Sequence, residues 1–256
     1  MSTPTGRLDH RAAVAAETAR FAALVGGADL ATPVPNCPGW TLADLVRHAG
    51  SVQRWFSVLL RNRIQEPPRS REVELRLPAE PDGYADWLAE SAAVAADAFA
   101  ATEPDLPMWA WGADQHARFW VRRMLFETLL HRTDAERALG LRPTVDRALA
   151  VDGIDEFLVN LPFAGFFAPG LAELRGTGET IRFRTTDADG DWLVRLRPDG
   201  FGLEPADPAA GADATVQGSA ADLLLLVYGR LPHESEAFTR EGDSELLTRW
   251  SAHSAF

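Results

Sequence analysis

Helix-patterned segments separated by proline- and glycine-rich stretches make up the first 140 residues of the chain. Within each segment, apolar residues recur at the spacing of an α-helix. Gly26 and Gly27 end the first segment, and Gly140 stands just after the fourth, where a glycine often ends a helix. Four long helices joined by loops of this length predict a four-helix bundle. The predicted helices cover residues 8–25, 41–61, 83–101 and 114–139.

The stretch between the first two predicted helices, ATPVPNCPGW at 31–40, contains three prolines and one glycine, which predicts an ordered loop. It is followed by Thr41, with Asp44 three residues later. A threonine and an acidic residue at this spacing mark a helix start, here with aspartate in place of the usual glutamate of a capping box. The second helix is therefore expected to begin at Thr41.

The sequence pattern changes after Pro143, where alternating apolar and polar residues replace the helical spacing. Asp199-Gly200 predicts a hairpin turn within this part. We therefore predict an α+β fold overall, with a four-helix bundle over residues 1–142 and a small α+β domain over residues 143–256. The elements predicted for the second domain are helices at 145–161, 219–230 and 244–250 and strand-like runs at 179–187, 192–205 and 214–218.

Charge and hydropathy argue against several classes of function. The chain has 25 lysines and arginines against 37 aspartates and glutamates, a net charge of −12, whereas affinity for nucleic acid comes mainly from cationic side chains. No stretch approaches the roughly 18 uninterrupted apolar residues of a membrane span, and the N-terminus lacks a secretory signal pattern. The one cysteine, Cys37, excludes an intramolecular disulfide. We expect a cytoplasmic protein that binds neither nucleic acid nor membranes.

A carboxylate and an imidazole, Glu127 and His131, stand four residues apart in the fourth predicted helix. This spacing places both side chains on one helix face, one turn apart. His48 lies in an apolar stripe of the second predicted helix with Leu45 and Val52, and is expected to face the core. If the two helices face each other, the three polar side chains meet and can bind a metal. Two imidazoles and one carboxylate leave coordination positions open, as in catalytic zinc and non-haem iron(II) sites.

The same residues also permit a site without metal. A core histidine is often simply hydrogen-bonded to a neighbour, and the spacing of Glu127 and His131 arises easily by chance. Arg123, one turn before Glu127, could supply the cation that a buried carboxylate needs. His116 shares the Glu127 face but lies too far along the helix for the same ion. Cys37 has no histidine nearby in sequence, and the following Pro38-Gly39 indicates a packing role.

Two sequence blocks together carry a family resemblance. VPNCPGWTLADLVRHAG at 34–50 and FWVRRMLFETLLHRTDAERALG at 119–140 resemble the mycothiol-dependent maleylpyruvate isomerase family of actinobacterial proteins. The resemblance implies a DinB-like four-helix bundle followed by a sterol-carrier-like α+β domain. It also implies a divalent metal, usually zinc, bound by the histidine of the first block and by the glutamate and histidine of the second. In this chain these residues are His48, Glu127 and His131.

The resemblance further implies a thiol chemistry. An open position on zinc accepts the thiol of mycothiol and favours the thiolate, which adds to an activated double bond. The expected partners are thus a small electrophile and a low-molecular-weight thiol, and no side chain of the protein need be the nucleophile. Asp134, three residues after His131, is a candidate to orient a ligand imidazole. Two alternatives stand beside this interpretation: a metal-dependent hydrolase with a metal-bound water, and a non-enzymatic binding or regulatory protein.

Overall fold

The computed structural model of the protein describes residues 8–68, 73–205, 207 and 210–254. The predicted domains also include residues that lie outside the described ones, at 1–7, 69–72, 206, 208–209 and 255–256. The chain divides into two compact units. One unit holds the residues up to Ala110 together with Asp114–Thr144, and the other holds Trp111–Ala113 and the residues from Val145 onward.

The first unit is built from the long helices that the sequence predicted, with small shifts at their ends. They are α1 (His10–Val25), α2 (Leu42–Arg61), α3 (Tyr84–Ala100) and α4 (Ala117–Ala138). The helices α1 and α2 each pack against both α3 and α4. The contact between α2 and α4 is the one that positions the site described below. Among the described residues, no helix combines the length and the apolar composition that a membrane span needs.

The start of α2 is fixed by the predicted capping box. The Thr41 hydroxyl accepts a hydrogen bond from the Asp44 backbone N–H at 3.4 Å, and the Asp44 carboxylate accepts one from the Thr41 backbone N–H at 3.0 Å. The Thr41 backbone N–H and the Thr41 hydroxyl, which donates to Oδ2 of Asp44 at 2.9 Å, hold the pKa of Asp44 below its ordinary value. Backbone bonds from Leu42 to Thr32 and from Ala43 to Leu30, both 2.9 Å, tie the preceding loop to the same helix end.

The end of α4 follows the predicted glycine signal. Gly140 has a φ of +72°, a conformation that glycine adopts without steric cost. Its N–H donates to the Arg137 carbonyl at 3.0 Å, and the Leu141 N–H donates to the Glu136 carbonyl at 2.8 Å. This pair of bonds is the Schellman motif, which satisfies carbonyls that a helix end would otherwise leave unpaired.

Aromatic side chains cluster around Trp120 in the core of the first unit. Trp120 on α4 is fully buried, and the rings of Trp55, Phe56 and Trp109 lie 4.9–5.8 Å from its ring. Its indole N–H donates to the Trp109 carbonyl at 2.8 Å. These contacts explain part of the high tryptophan content, since each buried ring covers a large apolar area while its N–H still finds a partner.

The close approach of α2 and α3 depends on a glycine. A Cβ atom at Gly50 would lie 2.2 Å from the buried ring of Trp87 on α3, far inside van der Waals contact. Gly50 is therefore the residue that lets the Trp87 ring pack directly on the backbone of α2.

The second unit contains a mixed sheet in the strand order β3-β2-β1-β4-β5. The strands β1 and β4 pair in parallel, and the other neighbouring strands are antiparallel. The helices α5 and α6 pack on each other, α6 contacts β1 and β4, and α7 contacts β4. The elements are α5 (Arg147–Asn160), β1 (Thr180–Thr185), β2 (Asp191–Arg197), β3 (Gly200–Glu204), β4 (Ala214–Gly218), α6 (Ala220–Val227), β5 (Thr239–Gly242) and α7 (Ser244–His253). The predicted α+β fold class is thus confirmed.

Two details of the sheet differ from the sequence prediction. The run 192–205 forms the predicted hairpin, but its turn lies one residue earlier than predicted, because Arg197 pairs with Gly200 across Pro198 and Asp199. The strand β5 was not predicted at all. Its four residues, TREG, are all exposed, so they lack the alternation that marks a half-buried strand. Charged side chains of this kind are common on edge strands.

A side-chain contact joins β1 to Asp213, the residue that precedes β4. The Asp213 carboxylate accepts hydrogen bonds from the Thr180 backbone N–H at 2.7 Å and from the Thr180 hydroxyl at 2.8 Å. Hydrogen bonding to the charged form favours ionisation, so these bonds lower the pKa of Asp213 below its ordinary value of 3.8.

Loss of the capping box is expected to lower the stability of the protein by a measurable amount. Thr41→Ala removes the hydroxyl acceptor and is expected to lower the free energy of unfolding by about 0.5–2 kcal/mol. Thr41→Ser keeps the acceptor and is expected to remain close to the unchanged protein. Urea unfolding of the three proteins tests this, and an equal stability of Thr41→Ala would show that the box does not stabilise α2.

The Asp213 contact predicts a pH-dependent contribution to stability. Because the folded pKa is lowered, the stabilisation is full above the unfolded value near 3.8 and is lost as the pH falls through the lower folded value. The free energy of unfolding of Asp213→Asn should therefore lie below that of the unchanged protein at neutral pH and approach it in acid. Asp189→Asn, at an exposed position of the same unit, should show no such convergence. A gap that stays constant with pH would contradict the prediction.

Candidate metal centre

The packing of α2 beside α4 brings together the three residues that the sequence singled out. The Nε2 atom of His48 lies 3.1 Å from Oε1 of Glu127, and the Nε2 atom of His131 lies 3.3 Å from the same oxygen. One ligand atom of each residue lies within 4.8 Å of the other two. The His48 and His131 rings stand nearly perpendicular, with centroids 4.8 Å apart. Three donor atoms from two helices thus converge on one point.

His48 is less buried than the sequence pattern predicted. Its side chain keeps 34% of its surface exposed, whereas Leu45 and Ala49 beside it on α2 are buried. The expectation that His48 faces the core was therefore wrong in detail, because the buried face of α2 is centred on neighbouring positions and His48 lies at its edge. Glu127 is similarly placed, with 27% of its side chain exposed, whereas His131 is 10% exposed. The cluster is accessible from the His48 and Glu127 side.

Arg123 contacts the second carboxylate oxygen of Glu127, Oε2. Its Nη2 atom lies 3.5 Å from Oε2, one helical turn before the carboxylate, and its side chain is almost fully buried. The guanidinium therefore supplies the compensating cation foreseen from the sequence, while it leaves Oε1 directed at the two histidines. Because Oε2 contacts Arg123 and Oε1 faces the histidines, Glu127 is arranged to bind a metal through Oε1 alone.

Asp134 holds the opposite side of His131. Its Oδ2 atom lies 3.2 Å from Nδ1 of His131, and its side chain is completely buried. The three side chains of Glu127, His131 and Asp134 form a row along one face of α4, as expected for residues spaced by four and three positions. A carboxylate on the far nitrogen of a metal-binding histidine is a recurrent arrangement in metal sites.

The proline-rich loop before α2 contributes polar contacts that the sequence did not indicate. The Asn36 side-chain amide donates to Oδ1 of Asp134 at 3.1 Å, and the Cys37 thiol lies 3.7 Å from Oδ2. Cys37 also packs against the apolar core, as predicted, but its thiol is part of the polar cluster. Trp40 covers both histidines, with ring centroids 5.1 Å from His48 and 6.4 Å from His131. No local pattern marks these contacts, since they join residues far apart in sequence.

A tight turn gives the loop its shape. The Trp40 N–H donates to the Cys37 carbonyl at 2.9 Å, and Gly39 between them has a φ of +84°. Proline at the second position and glycine with positive φ at the third are the signature of a type II turn. The turn thereby places the Cys37 thiol beside Asp134 and the Trp40 ring beside the histidines.

The hydrogen-bonding roles around His131 require a cation between it and Glu127. Asp134 and Glu127, when ionised, can only accept hydrogen bonds. If Nδ1 of His131 donates to Asp134, then Nε2 of the neutral ring presents a lone pair to Oε1 of Glu127. Two acceptors at 3.3 Å are held together only by a proton or a metal ion between them.

The electrostatics of the pair agree with this requirement. Burial lowers the pKa of His131, but hydrogen bonds with Asp134, Cys37 and Glu127 outweigh it, and the pKa lies well above its ordinary value of 6.5. Burial raises the pKa of Glu127, but hydrogen bonds from His131 and His48 and the charges of His131 and Arg123 hold it well below its ordinary value. The site therefore retains positive charge next to an ionised carboxylate.

The donor set fits a divalent metal of borderline softness. Two imidazole nitrogens and one carboxylate oxygen form a ligand combination that zinc uses in catalytic sites, where a fourth position stays open. The same set also occurs with iron(II). A second group of candidate ligand atoms, from Cys37, His131 and Asp134, also lies within 4.8 Å among the described residues, and it shares His131 with the first.

Comparison with protein families identifies both parts of the chain. Residues 11–136 match the family model described as the mycothiol maleylpyruvate isomerase N-terminal domain. Residues 148–249 match the model described as the MDMPI C-terminal domain. No curated protein matches the chain at a significant level.

Solved structures show the same fold. The crystal structure of a mycothiol-dependent maleylpyruvate isomerase and that of a histidine-to-alanine mutant of it align with TM-scores of 0.60 and 0.62. Each alignment covers 94% of this chain and 96% of the other, with 15% sequence identity. At this identity, the likeness establishes the arrangement of helices and strands.

Proposed function

The chain belongs to the mycothiol maleylpyruvate isomerase family, and on this premise we propose that it is a metal-dependent isomerase or thiol transferase. In this proposal, His48, Glu127 and His131 bind a divalent metal, and the thiol of mycothiol is activated there for attack on a small electrophile. The observation that carries the proposal is the convergence of two imidazole Nε2 atoms on one oxygen of Glu127, at 3.1 and 3.3 Å.

The donor atoms support zinc as the metal. Imidazole nitrogen and carboxylate oxygen are both regular zinc ligands, and three protein ligands leave room for an external one. A divalent metal held at this point supplies an open position that favours the deprotonated form of a thiol. The remaining roles in the site belong to the side chains of the protein.

The charges of the surrounding side chains favour an anionic fourth ligand. Glu127 and Asp134 carry two negative charges and Arg123 carries one positive charge. A divalent ion in their midst leaves the group with one net positive charge, which an anionic fourth ligand neutralises, whether a thiolate or a hydroxide. Since charge imbalance is costly in a partly buried site, this balance favours an anionic external ligand, and thiol dependence is what distinguishes an isomerase or transferase from a hydrolase.

Three side chains prepare the site for that chemistry. Arg123 holds Oε2 of Glu127 and so keeps Oε1 directed at the histidines. Asp134 holds the His131 ring from its far side. Trp40 lies against both histidine rings and excludes water from that side of the cluster. Preorganised neighbours of this kind reduce the rearrangement that binding and reaction would otherwise need.

The isomerisation is balanced without any further reagent. The thiolate sulfur forms a bond to one carbon of a conjugated double bond, and the electron pair of that bond moves toward the adjacent carbonyl. The former double bond is now single and rotates. The carbon–sulfur bond then breaks, the electron pair returns to form the double bond in the new configuration, and the thiolate is released unchanged. A transferase would use the same attack but retain the carbon–sulfur bond, and the resulting enolate would take up a proton from water at the carbon next to the carbonyl.

Metal binding is the first measurable consequence. Protein purified without chelator is expected to hold about one divalent ion per chain, and added zinc should raise the unfolding temperature of the metal-free form. His48→Ala and His131→Ala should each weaken zinc binding by more than about 100-fold, since even outer partners of metal ligands contribute about 10–100-fold. His116→Ala, a histidine elsewhere on the unit, should bind zinc normally. Elemental analysis and thermal unfolding test this, and an unchanged zinc response in His131→Ala would refute the ligand set.

Thiol dependence is the second consequence. Turnover of an activated alkene, with maleylpyruvate as the first candidate, should require mycothiol and should fall to the background rate when the thiol is omitted. A rate that is the same with and without thiol, or release of a hydrolysis product, would instead support a hydrolase. The His48→Ala protein serves as the matched control, because it lacks one proposed metal ligand and keeps Glu127 and His131, and its thermal unfolding verifies that it is folded.

A further inference from the structure

We propose that Asp134, held in place by Asn36 and Cys37, is a positioning residue that fixes which ring nitrogen of His131 faces the metal. The inference rests on the proposed metal site. It goes beyond that site because it assigns a task to the proline-rich loop and to the one cysteine of the chain.

The first step of the argument is the protonation of the His131 ring. An ionised carboxylate can only accept, so the Nδ1 atom that lies 3.2 Å from Asp134 must carry the hydrogen. When the proposed metal takes the place of the second ring proton, the lone pair of the neutral ring is on Nε2, the atom that points toward Glu127. Without Asp134, both tautomers and other ring orientations become accessible. Asp134 thereby selects the tautomer that binds.

The second step is the support of Asp134 itself. Its side chain is completely buried, and a buried carboxylate is stable only where hydrogen bonds replace its lost hydration. Oδ1 receives the Asn36 amide at 3.1 Å, and Oδ2 has both His131 and the Cys37 thiol as neighbours. A thiol is a weak donor, but here it is directed at a charged acceptor. Asn36 and Cys37 thus determine how Asp134 is oriented.

The third step is the rigidity of the loop that carries the two donors. Asn36 and Cys37 stand next to the type II turn at Pro38-Gly39. A further backbone bond, from the Val34 N–H to the Trp40 carbonyl at 2.9 Å, closes the loop on itself. Because the turn and its hydrogen bonds fix the backbone, the two donors approach Asp134 in one arrangement. The loop is therefore a support for α4 as well as a cover over the histidines.

The test measures metal affinity and ligand geometry directly, without an activity assay. Metal-free full-length protein is titrated with zinc in competition with a chromophoric chelator, and loaded with cobalt(II) as a coloured substitute for zinc. The variants are Asp134→Asn, Cys37→Ala, Cys37→Ser and the double variant Asp134→Asn with Cys37→Ala. Asp97→Asn, which makes the same change of charge at an exposed position on α3, is the control. Thermal unfolding of each metal-free variant verifies that it is folded.

Asp134→Asn is expected to weaken zinc binding by about 10–100-fold and to change the cobalt spectrum, whereas Asp97→Asn changes neither. Cys37→Ala should have a smaller effect, and Cys37→Ser should restore binding because a hydroxyl also donates. The losses in the double variant should be less than additive, since Cys37 contacts both members of the Asp134–His131 pair and its effect depends on that pair being formed.

Three results would overturn the inference. Zinc affinity of Asp134→Asn equal to that of Asp97→Asn would show that Asp134 does not position His131. Additive losses in the double variant would show that Cys37 acts independently of Asp134. A sulfur-to-cobalt charge-transfer band that disappears in Cys37→Ala would make Cys37 a metal ligand in the second donor group. If the unchanged protein binds neither zinc nor cobalt, the proposed function itself fails, which is a distinct result.

Discussion

The neutralisation of two carboxylates on one helix face organises the site of this protein. Glu127 and Asp134 flank His131 on α4, and a carboxylate removed from water is tolerated only beside cations and hydrogen-bond donors. The donors come from three directions: Arg123 on the same helix, His48 on α2, and Asn36 and Cys37 in the preceding loop. The packing of α2 and the loop against α4 is therefore coupled to the charge of the site.

The residues of the site lie on rigid elements of the structure. The ligand helices are fixed at their ends by a capping box at Thr41 and by a Schellman motif at Gly140. The loop between α1 and α2 is fixed by its type II turn. Sites carried by helices hold their side chains more closely to one geometry than sites carried by mobile loops. The proposed metal and its external thiol ligand would benefit from such preorganisation.

A large share of the fold was predictable from the sequence, and the exceptions have a common cause. The helices of the first unit, the hairpin and the α+β class follow from periodicity and turn residues, which act within a few positions of the chain. The edge strand β5 was missed because its exposed TREG sequence carries no alternation and pairs only through its neighbour β4. For His48, the apolar stripe indicated the correct face of α2. It did not indicate that His48 lies at the exposed edge of that face, because this depends on which elements pack against α2.

The sequence by itself determined that Glu127 and His131 share a helix face and that Cys37-Pro38-Gly39-Trp40 forms a loop next to a helix start. Both properties depend on backbone geometry over one or two turns. Only the tertiary structure decided that His48 meets Glu127 and that the Cys37 thiol reaches Asp134 across 97 positions of the chain. Contacts at such separations depend on how whole helices pack, and local preferences of the chain do not encode them.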